Sequence, residues 1–479
     1  MFLARLLVLF SLVCISCAHS SFEQKQLKHA LDFATSNRLE LEILLQHYTY
    51  DSLKLEAAKF LIRNMPHCYS YQQGGEMDSV KRVRTYYSPF GQIDQTYARR
   101  WGHYTYRNLP KIYDAHIITA EYLIDNIDRA FDNWQKRPWN RSLSFEDFCE
   151  YLLPYRIGDE PLEEWRELYE KKYGYLLDSI YKGGDVVEAA NLVSRHLQEP
   201  VFIYCEDFEL PHIGPRYLFS HRYGSCVDAA DIVTYAFRAV GIPCMEDTDA
   251  RGGHVWNVVR DTTGRDVPIW YIASEAVRGS RDTGGYKRGK VYRPMYGFQE
   301  EKAAHLGDDW KSMPLLFYHP YMKDVSYAYY PDTLRILTGI PDDEVCYLAH
   351  FHEAHWWSCA CARSASGKME IPNLESELVY LPMKYTKGNY YPSGFPFWFA
   401  GGEINTFLPD WEKTVKVRLY RKYPVYGWLR SFMSHVVGGT FEGSMTKDFE
   451  DGKRLYEIAD TPVIARNRIF LNKPVKCRY

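Results

Sequence analysis

Apolar positions between residues 22 and 198 recur at helical spacing. Leu39, Leu41, Leu44 and Leu45 fall at turn intervals, and Asp51 is placed to cap a run from Leu53 to Ile62. Met65-Pro66 ends that run, because the residue before a proline is pushed out of the helical region. His116–Trp134, Glu160–Tyr173 and Val186–Gln198 read as further helices, and Ser144 with Asp147 three positions on resembles a capping box. Residues 70–110, rich in Tyr and Arg, show no clean period and read as a long irregular connection. The expectation for residues 22–198 is an α-helical region wrapped on a core domain.

The pattern then becomes mixed. Val201–Tyr204 is strand-like, Cys226–Val240 helical, and His254–Arg260 a strand. Asp261-Thr262-Thr263-Gly264-Arg265 reads as a hairpin turn, with Ile269–Ile272 as the returning strand. Beyond Pro314 short β runs alternate with Gly and Pro, among them Val345–Phe351, Glu377–Leu381 and Val415–Tyr420. The fold class expected is multidomain α+β: a helical region, a mixed core over 199–300, a β-sandwich over 312–412 and a second β module over 413–479.

Composition narrows the class. At 479 residues the chain exceeds one domain, and about 150 residues per domain implies roughly three. With 46% hydrophobic and 25% charged residues it is globular, and a net charge of -3 gives no basis for nucleic-acid binding. Aromatics reach 16%, which serves large cores and sugar-binding surfaces alike.

Met1–Arg5 supply a positive start and Leu6–Ile15 an apolar run too short to span a bilayer. Ser16-Cys17 has the form of a bacterial lipoprotein cleavage site, so residues 1–17 read as a signal peptide and Cys17 as a lipid anchor. Nine cysteines lie beyond this region at irregular spacing, an odd number that spells out no disulfide framework.

The candidate chemistry lies between Arg222 and Arg293. Tyr223-Gly224-Ser225-Cys226 puts a cysteine at the start of a helix, where the helix dipole favours a thiolate. The Cys226 backbone N–H is then free to donate into an oxyanion hole. Gly252-Gly253-His254-Val255-Trp256-Asn257 places a histidine after a glycine turn, with Trp256 on the face of His254.

Tyr223-Gly224-Ser225-Cys226, Arg238-Ala239-Val240-Gly241-Ile242-Pro243 and Gly253-His254-Val255-Trp256-Asn257 resemble the transglutaminase-like superfamily of papain-fold cysteine enzymes. The similarity covers about 90 residues. The whole chain also resembles large exported transglutaminase-domain lipoproteins of Gram-negative bacteria, through residues 145–156 and Lys290-Val291-Tyr292-Arg293. The resemblance implies Cys226 as nucleophile and His254 as base. An Asp orients the histidine in that superfamily. Here Ala273 falls at about its place, Glu275 is the nearest carboxylate, and Asp266 lies upstream.

Tyr223, Trp256 and Arg156 are the candidate substrate contacts. Arg156, with Glu150 and Glu160 nearby, reads either as a cleft residue for an acidic or amide group or as an ion pair pinning the helical region to the core. His350-Phe351-His352-Glu353-Ala354-His355 puts two histidines on one strand face without a clearly spaced third ligand, so no metal or other cofactor is expected. Val437–Ser444 and Lys476–Tyr479 resemble parts of a discoidin-type β-sandwich, apparently incomplete, which suggests carbohydrate binding.

Two functions follow. One is a thiol-dependent amide or peptide hydrolase or acyl transferase acting on peptide, protein or glycopeptide outside the cytoplasm. The other is an inactive transglutaminase fold serving as a glycan- or peptide-binding scaffold.

Overall fold

The computed structural model describes residues 22–85, 106–199, 201–204, 210–251, 253–271, 275–281, 287–299, 313–337, 341–352, 355–413, 436–460, 471 and 475–478. It is a mixed α+β protein that divides into two units, Met1–Phe407 and Leu408–Tyr479. Among the described residues no helix is long and apolar enough to cross a membrane.

Among the described residues the first half of the larger unit holds ten α-helices: α1 (22–33), α2 (Arg38–His47), α3 (Ser52–Asn64), α4 (Glu76–Thr85), α5 (Ala120–Lys136), α6 (Phe145–Tyr151), α7 (Arg166–Tyr175), α8 (Val186–Leu197), α9 (Pro215–Ser220) and α10 (Cys226–Ala239). Their starts follow from capping chemistry. Asp51 accepts from Lys54 N, Thr119 from Tyr122 N, Ser144 from Asp147 N, and Asp185 from Val187 N and Glu188 N. The helix read from His116 begins at Ala120, where Thr119 caps it, and two further readings shift for local reasons. The expected helix at Glu160 begins only at Arg166, since Pro161 follows and the Glu160 carboxylate turns back to accept Ile157 N and Gly158 N. The connection read over 70–110 contains α4, and its ends pair as short strands, Tyr69–Tyr71 with Lys111–Tyr113.

Five antiparallel strands form the central sheet: β1 (Cys244–Asp249), β2 (Val255–Arg260), β3 (Asp266–Ile269), β4 (Val291–Pro294) and β5 (Met322–Asp324). Their spatial order is β3-β2-β1-β4-β5. The returning strand β3 therefore starts at Asp266 rather than Ile269, in register Arg260↔Asp266 and Asn257↔Ile269. Period-2 alternation gives this sheet two different faces. Cys244, Val259, Val267 and Ile269 join Ile232, Val233, Ala236 and Phe237 of α10 in one core. Met245, Trp256, Val258 and Val291 pack on the other side with Tyr151, Val325 and Tyr329. Helix α10 is buried on nearly every side, clasped by sheet and helices, as its apolar composition requires.

The rest of this unit is β-rich. Strands β6 (Leu334–Leu337) and β9 (Lys368–Ile371) pair with each other. A six-stranded antiparallel sheet contains β7 (Val345–His352), β8 (His355–Arg363), β10 (Leu378–Thr386), β11 (Asn389–Pro392), β12 (Phe397–Ala400) and β13 (Glu403–Thr406). Leu334, Met369 and Ile371 from the small sheet cover Cys346, Leu348, Tyr380 and Phe397 of the large one. The Tyr292 hydroxyl of β4 donates to Cys359 O (2.7 Å), joining this sheet to the central one. In the smaller unit β14 (Thr440–Gly443) pairs with β15 (Lys453–Glu457), and Arg478 N donates to Ser444 O (2.8 Å). The run 415–420 lies outside the described residues, as do residues 1–21 with the expected signal and Cys17.

Candidate active site

The local sequence before α10 fixes where its first residue sits. Gly224 has φ +152°, and a Cβ there would lie 2.2 Å from the Asp228 Oδ2, so both the backbone and the space require glycine. The Asp228 carboxylate accepts the Ser225 N–H (2.7 Å) and hydroxyl (3.2 Å), closing the helix start around it. Cys226 is thereby held at the first helical position, 6% exposed. Cys226, Ala230 and Thr234 follow at four-residue intervals and share one face of the helix.

That face meets the sheet through Asn257 of β2. Its Nδ2 donates to Ala230 O (3.0 Å) and to Thr234 Oγ1 (2.9 Å), while Thr234 donates to Glu246 on β1 (2.7 Å). Further along, Arg238 Nε donates to Cys244 O (3.2 Å), and Cys244 is paired with Val259. Helix and strand thus advance together, residue 230 beside 257 and 238 beside the level of 259. Cys226 opens the helix and His254 precedes the strand, each upstream of the Asn257 contact. His254 directly precedes β2, 9% exposed.

The turn carrying His254 is ordered by Asp249, whose carboxylate accepts Arg251 N and Gly253 N (both 2.9 Å) and pairs with the Arg251 guanidinium (3.2 Å). His254 O accepts from Thr248 Oγ1 (3.0 Å). Two indoles flank the imidazole: Trp270 edge-to-face at 4.6 Å and 75°, and Trp256 tilted at 5.6 Å and 31°. Arg251 in turn lies under Trp357 of β8, its guanidinium 5.6 Å from the ring centre.

Other candidates have other engagements. Glu275 carries a carboxylate more than half exposed, paired with Arg195 of α8 (2.7 Å). Asp266 faces away from α10 and is held by Arg293 (2.7 Å), Arg260 (3.1 Å) and the Tyr151 hydroxyl (3.0 Å). Ala273 lies outside the described residues. Arg156 is buried on Asp114 and Glu160, so it is ion-paired within the helical region instead of pinning that region to the core, and it offers no cleft contact. Trp256 is fully buried, its Nε1 donating to the Tyr329 hydroxyl (2.9 Å); it backs His254 instead of touching substrate. Tyr223 is half-buried beside the helix start.

Sequence reasoning missed Trp270, Asn257, Asp249 and the His212–Asp231 pair. His212 Nδ1 lies 2.9 Å from both Asp231 oxygens, against Glu246 and Glu160. Burial alone disfavours charge on His212, but Asp231, Asp159 and Glu160 outweigh it and raise its pKa well above the ordinary value. Only Trp270 left a signal, as a large aromatic next to a strand end.

Among the described residues no three His, Cys, Asp or Glu side chains are grouped to hold a metal. His350 is almost fully buried with neither ring nitrogen hydrogen-bonded; burial, then Arg251, pulls its pKa down to about 4. The eight described cysteines form no disulfide, and Cys477 is exposed. The chain matches no family model, no curated protein and no solved structure.

Proposed function

We propose that this protein is a papain-like, transglutaminase-type cysteine enzyme that cleaves or transfers an amide or peptide acyl group. The observation that supports this reading is that α10 opens with a cysteine and β2 is preceded by a histidine, the helix and strand being locked to each other by Asn257. A free thiol has a pKa of about 8.5 and is mostly protonated at neutral pH, so it needs the helix N-terminus and an imidazolium to react as thiolate. Cys226 Sγ attacks the carbonyl carbon while backbone N–H groups at the helix start receive the oxyanion. His254 protonates the departing amine, leaving a thioester on Cys226. Water, deprotonated by His254, then releases the acid; an amine in its place yields a transferred acyl group. Peptide, protein or glycopeptide supplies the carbonyl, and no cofactor takes part.

Export belongs to the same reading, with residues 1–17 removed or Cys17 lipidated. The mass of the mature N-terminal peptide tests it.

The enzyme reading is tested by iodoacetamide labelling of Cys226, read by peptide mass spectrometry against the exposed Cys477 in the same chain. Cys226 labels faster than Cys477 at pH 6 to 7, and His254→Ala removes the difference. Equal rates in the native protein overturn the reading. One observation favours the alternative, a binding scaffold: Glu275 is engaged by Arg195. In that case Cys226 stays unreactive, and peptide or glycan binding persists in Cys226→Ala.

A further inference from the structure

We infer that Trp270 is a positioning residue for His254: its indole, sent from the end of β3, fixes the plane of the imidazole and holds the imidazolium edge-to-face. The inference rests on the enzyme reading above.

The geometry starts with register. Asn257 pairs with Ile269, the last residue of β3, and the neighbours Trp256 and Trp270 alternate to the face of the sheet turned away from α10. His254 lies two residues before Trp256, on that same alternation, and its ring meets both indoles. The returning strand therefore does deliver a side chain to the imidazole, and that side chain is aromatic. At 4.6 Å and 75° the Trp270 and His254 rings meet in the T-shaped arrangement that aromatic pairs favour, which fixes the plane of the imidazole.

The second indole is a fixed floor. Trp256 is fully buried and donates to Tyr329, whose hydroxyl donates to Asp247 (2.7 Å), itself clamped by Arg293 (2.6 and 2.9 Å). The chain of hydrogen bonds leaves Trp256 no freedom to follow a moving imidazole. Trp270 is only partly buried, wedged between the two cores on either side of the sheet. It is the partner whose removal opens space beside His254 without dismantling the buried network. The charged and titratable groups on the packed elements are Asp249 and Arg251 in the turn, Arg288 over Trp256 (4.7 Å), Asp247 behind Tyr329, and Cys226 with Asp228 at the helix start. Arg288 already places a permanent positive charge over Trp256, so Trp270 is the indole near His254 whose removal is read most simply.

The test is the pH profile of Cys226 alkylation in the full-length protein, with Cys477 as the internal reference. On the enzyme reading, the native chain shows thiolate at low pH because His254 carries the proton. Trp270→Ala shifts the midpoint of that rise upward by about half to one pH unit, a three- to tenfold loss of rate at pH 6. Trp270→Phe, which keeps a π face, stays within about twofold of native. Thermal melting of both variants separates this from unfolding: Trp270→Phe and Trp270→Ala must melt cooperatively, and a purely packing role would scale rate with melting temperature across the two. A profile unchanged in Trp270→Ala, with native Cys226 fast and His254-dependent, overturns this inference alone. A native Cys226 no faster than Cys477 overturns the enzyme reading and this inference together.

Discussion

The two faces of the five-stranded sheet bury acid in different company. Neighbouring residues of β1 make the contrast, since Glu246 points toward α10 and Asp247 points away. Asp247 and Asp266 share the guanidinium of Arg293, a cation that does not lose its proton in water-accessible conditions. Glu246 and Asp231 have His212, a cation that does. One face is therefore clamped by a permanent cation, and the other holds a titratable one beside the helix that opens with Cys226. Burial is similar on both sides, so the chemistry of the counter-charge decides the behaviour.

Arg293→Met is the harshest way to break this comparison. It strips Asp247 of its cation while Asp266 keeps Arg260, and burial already pushes Asp247 up against the opposing pull of Arg293. Breaking a buried pair by removing one partner costs about 3–5 kcal/mol. Urea denaturation at pH 7 shows that loss, and part of it returns at pH 5 as the stranded Asp247 takes up a proton. A variant as stable as the native chain at pH 7 would remove the clamp from the account.

Asp231→Asn probes the other face with a smaller effect, about 2 kcal/mol at pH 6. The His212 pKa is raised in the folded chain, so its pairing contributes fully below the unfolded value near 6.5 and fades as pH rises through the folded value. Native stability declines over that range while the variant has little left to lose. The gap between them accordingly narrows from pH 6 to pH 9 in denaturation midpoints. A constant gap means His212 is not the titrating partner.

Asn257→Ala sharpens the comparison where helix and strand touch. It removes the bonds to Ala230 O and Thr234, at a cost of about 1 kcal/mol. Cys226 alkylation falls severalfold because helix and turn lose their common register. Stability lost without any change in alkylation would show that Asn257 serves packing only.

How much of this was legible follows from what each feature depends on. Caps at Asp51 and Ser144 are encoded within three residues and read correctly from sequence. Gly224 before Cys226 announced a helix start, and the helix opens at Cys226. The returning strand was misplaced because Asp266 and Val267-Pro268 carry no strand signal alone; pairing with Arg260 and the ion pair to Arg293 make them strand. Glu275 stood near in sequence to the expected orienter, but α8 supplies Arg195 to it from eighty positions away. Trp270 escaped because register, not spacing, puts it against His254.

Local sequence set the helix starts at Ser52, Phe145 and Cys226, the turn at Gly224 and the alternation of β2, and it offered one thiol and one imidazole as candidates. Those are local properties, set by backbone sterics and by side chains a few residues apart. Only the tertiary structure decided which carboxylates meet Arg293 or Arg195, which histidine shares a proton with Asp231, and which rings enclose His254. Each of these pairs residues on different elements, and the energy of a buried charge depends on whichever group packing brings to it.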